Sequence, residues 1–264
     1  MKRATRPFSF VASTLLALVL SFAAQAEERI ERPNLLKVFQ EHQAVGTFVL
    51  YDPKKDQLTV VGAKRAATRY VPASTFKIVN SLIALETKAV KDENEVIPYG
   101  GQPQPVKTWM RDMSMRDAIT ISNVPVYQEL ARRVGLHAYG NWLSKLDYGN
   151  QSISTEVERF WLDGPLAISA IEQTHFVARL AQNKLPFSDH SQRLVRSILK
   201  LNEKDGHTLY VKSGWAQKIG WWVGWVEHNG RIQSFALNID MENVEDAPKR
   251  GAIVRTLLNR LNVL

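Results

Sequence analysis

The chain has no cysteine. Disulfides, thiolate metal sites and a lipid anchor on an N-terminal cysteine are therefore excluded, so the fold must rely on its apolar core. No run of five or six like charges occurs. The 34 Lys and Arg and 26 Asp and Glu are scattered, so nucleic acid is not an expected partner. The six histidines show neither H-x-H nor H-E-x-x-H spacing, which argues against metal-dependent hydrolysis and leaves no metal expected. A membrane-spanning stretch is missing too. The apolar run Phe8 to Phe22 is short for a span. It follows Lys2, Arg3 and Arg6 and precedes Ala24-Gln25-Ala26, a small-x-small cleavage site. The expectation is a cleavable export signal over residues 1–26, a periplasmic location and no stable membrane anchor. Loss of its three basic residues lowers the formal net charge from +8 to +5, a mild excess that suits a small anionic substrate.

What remains, residues 27–264, is enough for one large domain or two lobes. There is no internal repeat, linker or low-complexity tract. A first helix is predicted over 33–43. Strands follow at 47–51 and 58–61 around the turn Asp52-Pro53-Lys54-Lys55-Asp56. Residues from about 75 to 200 read as mostly helical. A second set of strands begins at Leu209, with Asn229-Gly230 as a hairpin signal between 222–227 and 232–240. The C-terminus reads as an amphipathic helix carrying Ile253, Val254, Leu257, Leu258 and Leu261. Strands from both ends of the chain thus enclose a helical block. The expected fold class is α+β: a central antiparallel sheet flanked by the terminal helices, plus an inserted helical lobe, with a cleft between them.

Ser74-Thr75-Phe76-Lys77 carries the most chemical information. A serine and a lysine three residues apart share one helical face, so a nucleophile lies within reach of a base. Pro72-Ala73 precedes it as a helix start, and Phe76, Val79, Leu82, Ile83 and Leu85 continue as an apolar stripe. A second S-x-x-K, Ser197 to Lys200, lies among Arg193 and Arg196 and reads as a solvated helix surface. Downstream come Ser122-Asn123-Val124, Tyr148-Gly149-Asn150, Trp161-Leu162-Asp163-Gly164 and Lys212-Ser213-Gly214. The order S-x-x-K, a second serine motif, then K-[ST]-G on a strand is that of the serine acyl-enzymes, the penicillin-binding proteins and serine β-lactamases.

Within that group the chain resembles the class D β-lactamases, the oxacillinases, over nearly all of residues 27–264. Ser213 stands where the family more often has threonine, which keeps the hydroxyl, and Asn123 fills a position that varies. Class A relatives use a glutamate in an E-x-x-L-N context. Glu156 and Glu158 lack the following Leu-Asn. The base is then Lys77, either neutral through burial or chemically modified. The resemblance implies modification: a CO2-derived carbamate on Lys77, making it N6-carboxylysine, with no other cofactor.

The resemblance implies the remaining roles. Ser74 is the nucleophile, Ser122 passes a proton to the leaving lactam nitrogen, and Lys212 supplies positive potential. Trp161 donates its indole N–H to the carbamate, and Val124 and Leu162 wall off Lys77. Ser213 and Arg250 bind the substrate carboxylate. The backbone N–H groups of Ser74 and Trp215 form the oxyanion hole. Tyr148-Gly149-Asn150 is expected to be structural, and Trp221, Trp222 and Trp225 to pack the sheet. The expected activity is hydrolysis of small-molecule β-lactams by a monomer or homodimer, conferring resistance. The alternative is a penicillin-binding or antibiotic-sensing domain that acylates without efficient turnover.

Overall fold

A computed structural model describes residues 27–264, so the expected signal over 1–26 lies outside the described residues. The strands are β1 (Glu28–Glu31), β2 (Gly46–Asp52), β3 (Gln57–Val61), β4 (Val96–Ile97), β5 (Met113–Ser114), β6 (Lys200–Lys204), β7 (His207–Ala216), β8 (Ile219–His228) and β9 (Arg231–Asp240). The helices are α1 (Leu36–Glu41), α2 (Ala63–Ala66), α3 (Lys77–Glu86), α4 (Met115–Thr120), α5 (Val124–Val134), α6 (Leu136–Leu146), α7 (Ala170–Ala181), α8 (Asp189–Leu199) and α9 (Ala247–Arg260).

Seven strands form one sheet in the order β1-β3-β2-β9-β8-β7-β6. It is antiparallel except at one edge, where β1 runs parallel to β3. Asn229 and Gly230, both at positive φ, make the two-residue turn between β8 and β9. β8 is buried on both faces, so its side chains do not alternate between apolar and polar. Trp221, Val223 and Trp225 join the larger core against the helical lobe. Trp222 and Val226 join a second core with Leu35, Val38 and Phe39 and with Ile253, Val254, Leu257 and Leu258 of α9. The terminal helices therefore cover one face of the sheet, and the lobe running from α3 to α8 covers the other.

Three features differ from the sequence reading. β1 is a strand with no apolar alternation, because its partner β3 supplies the ladder while its own residues stay largely exposed. The second strand set begins at Lys200 rather than Leu209. β6 is an exposed edge whose polar run gives no period-2 signal. The predicted first helix divides into a 3₁₀ turn over Pro33–Leu35 and the short α1.

Candidate active site

The Ser74-Thr75-Phe76-Lys77 motif is fixed before its helix begins. The Trp221 indole N–H donates to the Val71 carbonyl at 2.9 Å, tying β8 to the segment that leads into Ser74. Ser74 then lies in a 3₁₀ turn, Ala73–Phe76, and α3 starts at Lys77. The Lys77 side chain returns one turn, and its Nζ donates to Ser74 Oγ at 2.9 Å. Lys77 is fully buried. Its Nζ lies 5.2 Å from the centre of the Tyr127 ring. That ring is anchored by a chain of hydroxyls. Ser81 Oγ donates to the Lys77 carbonyl at 2.8 Å, so Tyr127, 2.8 Å from Ser81 Oγ, must supply the proton of that contact.

The second serine–lysine pair is assembled across the chain. Asn123 caps α5, its side chain accepting from Val126 N at 3.0 Å, and it is fully buried. The position read as variable thus holds the helix that Ser122 precedes. Ser122 itself has φ +59°, an uncommon conformation for a residue with a Cβ. Lys212, on β7, donates from Nζ to Ser122 Oγ at 3.1 Å. The same strand passes directly beside the Ser74 turn. A Cβ on Gly214 would lie 3.1 Å from each of the Pro72 carbonyl oxygen, Ser74 N and Thr75 N. Arg250, in the second turn of α9, donates from Nη1 to the Gly214 carbonyl at 2.7 Å.

Three basic groups therefore face one small region, and none has a carboxylate partner among the described residues. Burial holds the Lys77 ammonium well below the usual lysine range, and repulsion from Lys212 lowers it further. Burial, then the Arg250 charge, brings Lys212 down to about 7. Burial also lowers Arg250. Uncompensated positive charge in a desolvated site favours anions, and a lysine kept neutral is free to act as a nucleophile or a base.

The other expected site residues lie on α5, on β7 and in the segment between α6 and α7. Trp161 is fully buried and stacks on Phe76, the residue before Lys77, with ring centroids 5.5 Å apart. Leu162 packs against the lobe core. Val124, half-buried, begins α5. Ser213 is half-buried opposite Trp222 in the sheet register. Trp215 is exposed, with its indole N–H bound to the Met241 carbonyl at 2.9 Å.

Tyr148 packs edge-on against Phe76 and Phe176. Asn150 accepts from Ala167 N and donates to the Pro165 carbonyl, each at 2.9 Å, pinning the segment that follows Trp161. A Cβ on Gly149, at φ +57°, would strike the Ala167 carbonyl at 2.2 Å. Glycine is required at position 149 for this close approach.

The competing residues are otherwise engaged. Ser197 is exposed and donates to the Leu194 carbonyl, while Lys200 pairs with Glu203. Glu156 and Glu158 pair with Arg159 and Arg132 at the surface. Two contributors were given no site role by the sequence. Trp221, read as sheet packing, also anchors Val71. Tyr127, at apolar helical spacing on α5, supplies the ring beside Lys77.

The family of the penicillin-binding protein transpeptidase domain matches residues 46–259. The chain is similar to β-lactamase OXA-48 of Klebsiella pneumoniae, 39% identical over 98% of this chain and 99% of the relative. It is 40% identical to β-lactamase OXA-20 of Pseudomonas aeruginosa over 97% of each. Among solved structures it resembles FUS-1 (OXA-85), a class D β-lactamase from Fusobacterium nucleatum subsp. polymorphum. That match has a TM-score of 0.86 and 41% identity, covering 89% of this chain and 99% of that one. A class D β-lactamase from Nostoc, YbXI, matches with a TM-score of 0.85 and 36% identity over 88% of this chain and all of that one. Two serine–lysine pairs on a transpeptidase fold, and relatives of this similarity over nearly the whole chain, place it in one family: the chain belongs to the class D β-lactamases, which are serine hydrolases.

Proposed function

We propose that the protein opens the lactam ring of penicillin-type antibiotics through an acyl-enzyme on Ser74, with Lys77 carboxylated on Nζ as the general base. The observation that carries this reading is the buried Lys77, 2.9 Å from Ser74 Oγ, in a centre with three basic groups and no acid among the described residues. A neutral Nζ adds to CO2 and releases one proton. The resulting N–C bond leaves a carbamate anion where the protein has placed only cations. The base is thus made from the lysine itself, which fits the engagement of Glu156 and Glu158 elsewhere.

In this mechanism the carbamate takes the Ser74 proton as Oγ attacks the lactam carbonyl. The N–H groups of Ser74 and Trp215 receive the developing oxyanion, and each such donor is worth about 100- to 1,000-fold in rate. The C–N bond breaks, and the lactam nitrogen takes a proton through Ser122 from Lys212. With a pKa near 7, Lys212 can part with a proton at neutral pH. Ser213 and Arg250 hold the substrate carboxylate, with Trp161 donating to the carbamate and Val124 and Leu162 excluding water. The proton taken from Ser74 passes on to Lys212, which restores the carbamate anion. The carbamate then draws a proton from the hydrolytic water, whose oxygen bonds to the ester carbon as the C–Oγ bond breaks, and that proton returns to Ser74 Oγ. Export through a leader at 1–26 would place this activity in the periplasm, where it would confer resistance. No helix among the described residues is long and apolar enough to cross a membrane.

The test is penicillin turnover with and without CO2, together with intact-mass and peptide analysis. The substrate mass should be added at Ser74 and not at Ser197. Degassed buffer should leave a persistent acyl-enzyme that bicarbonate releases. Carbon-13 bicarbonate should give a carbamate signal that Lys77→Ala abolishes. Turnover indifferent to CO2, with no such signal, would show that another group is the base.

A further inference from the structure

The residue before the nucleophile adopts an unfavourable conformation. Ala73 has φ +51°, a left-handed geometry that a Cβ disfavours. The turn presenting Ser74 must therefore be held by its surroundings. Part of that restraint comes from Thr75. Its hydroxyl donates to the Pro72 carbonyl at 2.6 Å, and its N–H donates to the same oxygen at 3.2 Å, closing a ring around Ala73 and Ser74.

The Thr75 hydroxyl is itself fixed from another element. Gln173 Nε2 donates to Thr75 Oγ1 at 2.7 Å. Gln173 is fully buried on α7, one residue after Glu172, which forms a capping box with Ser169 and an ion pair with Arg69. The amide has only one workable orientation. The single Thr75 proton is given to Pro72, so Gln173 must donate, and its buried Oε1 has no partner among the described residues. A buried unpaired carbonyl costs stability. It is present here because the other end of the same amide is the donor to Thr75.

From this we infer that Gln173 is a positioning residue for the reaction. It holds Thr75, and through Thr75 the 72–75 turn, so that the Ser74 hydroxyl faces Lys77 and the Ser74 N–H faces the developing oxyanion. The inference rests on the acyl-enzyme reading above, with Gln173 acting through Thr75 and not on the substrate.

Gln173→Met keeps the side-chain length and removes the donor and the orphaned carbonyl together. Its melting temperature should stay close to that of the unaltered protein, because a lost hydrogen bond is offset by a lost unpaired group. Its non-covalent affinity for penicillin should also hold, while the acylation rate constant in stopped flow should fall about 10- to 100-fold, as small misplacements of reacting groups do. Thr75→Val should lose the same factor, Thr75→Ser should retain the rate, and Gln173→Met with Thr75→Val should be no slower than either alone. Acylation of Gln173→Met at the unaltered rate would overturn the inference. If Gln173→Met does not fold, equal rates for Thr75→Ser and Thr75→Val would overturn it instead. Absence of any Ser74 adduct in the unaltered protein would defeat the acyl-enzyme reading itself, an outcome distinct from both.

Discussion

Lys212 Nζ donates to Ser122 Oγ at 3.1 Å across 90 residues of sequence, and both the lysine and its neighbour Lys77 are buried away from any carboxylate among the described residues. The geometry stores an electrostatic cost that a bound anion relieves. Stability should report that cost directly.

Lys212 has a pKa of about 7 in the folded state against about 10.4 in an unfolded chain. Between those values the unfolded state binds more protons, so stability is low near pH 7 and rises with pH toward 10. One full proton contributes up to about 1.4 kcal/mol per pH unit. Lys77, lowered in the same direction, adds to the slope. Urea unfolding at several pH values from 7.5 to 9.5 in CO2-free buffer should show the rise, and Lys212→Met should make it shallower. A flat profile, or an unchanged slope in the variant, would mean that Lys212 keeps its charge.

Arg250 meets the Gly214 and Ala247 carbonyls and no acid among the described residues, and the proposed function gives it the substrate carboxylate as partner. Arg250→Ala should raise KM for penicillins about 10- to 150-fold, the worth of a charged hydrogen bond of about 1.5–3 kcal/mol. Because the Arg250 charge also depresses Lys212, its loss should shift the Lys212-dependent part of the pH–rate profile upward. Unaltered KM across several penicillins would assign the carboxylate to another group.

Two glycines should separate folding from rate. A Cβ on Gly224 would sit 1.9 Å from the Tyr210 carbonyl oxygen, inside the sheet. Gly224→Ala should cost at least about 1–3 kcal/mol, read as a lowered urea midpoint. The Cβ of Gly214→Ala would press at 3.1 Å on backbone atoms of the Ser74 turn. That variant should fold, yet acylate at least about tenfold more slowly. The same loss of stability in both, with acylation intact in Gly214→Ala, would show that the close approach of β7 has no bearing on the reaction.

The reading from sequence reached the architecture because its signals are local. Asn229-Gly230 fixed a hairpin through its tolerance of positive φ, and the spacing of Ile253, Val254, Leu257 and Leu258 fixed a helix that buries one side. It missed β1 and β6, whose side chains are mostly exposed and follow no period, because their pairing comes from β3 and β7. It also gave Asn123 no role, although a buried cap holds α5 and with it the position of Ser122.

By itself the sequence determined the residue types: a serine and lysine one turn apart, a second serine, a K-S-G strand, and no cysteine or histidine cluster to support another chemistry. Their order sufficed for a family resemblance, because each motif is short and contiguous. Only the tertiary structure brought Lys212 to Ser122, Trp221 to Val71 and Gln173 to Thr75, contacts spanning 90, 150 and 98 residues. It also decided the electrostatic state of the site. A lysine's charge depends on whether water or a counter-ion surrounds it. Burial of Lys77 beneath Tyr127, beside Lys212 and away from any acid among the described residues, is a property of packing that no local pattern encodes.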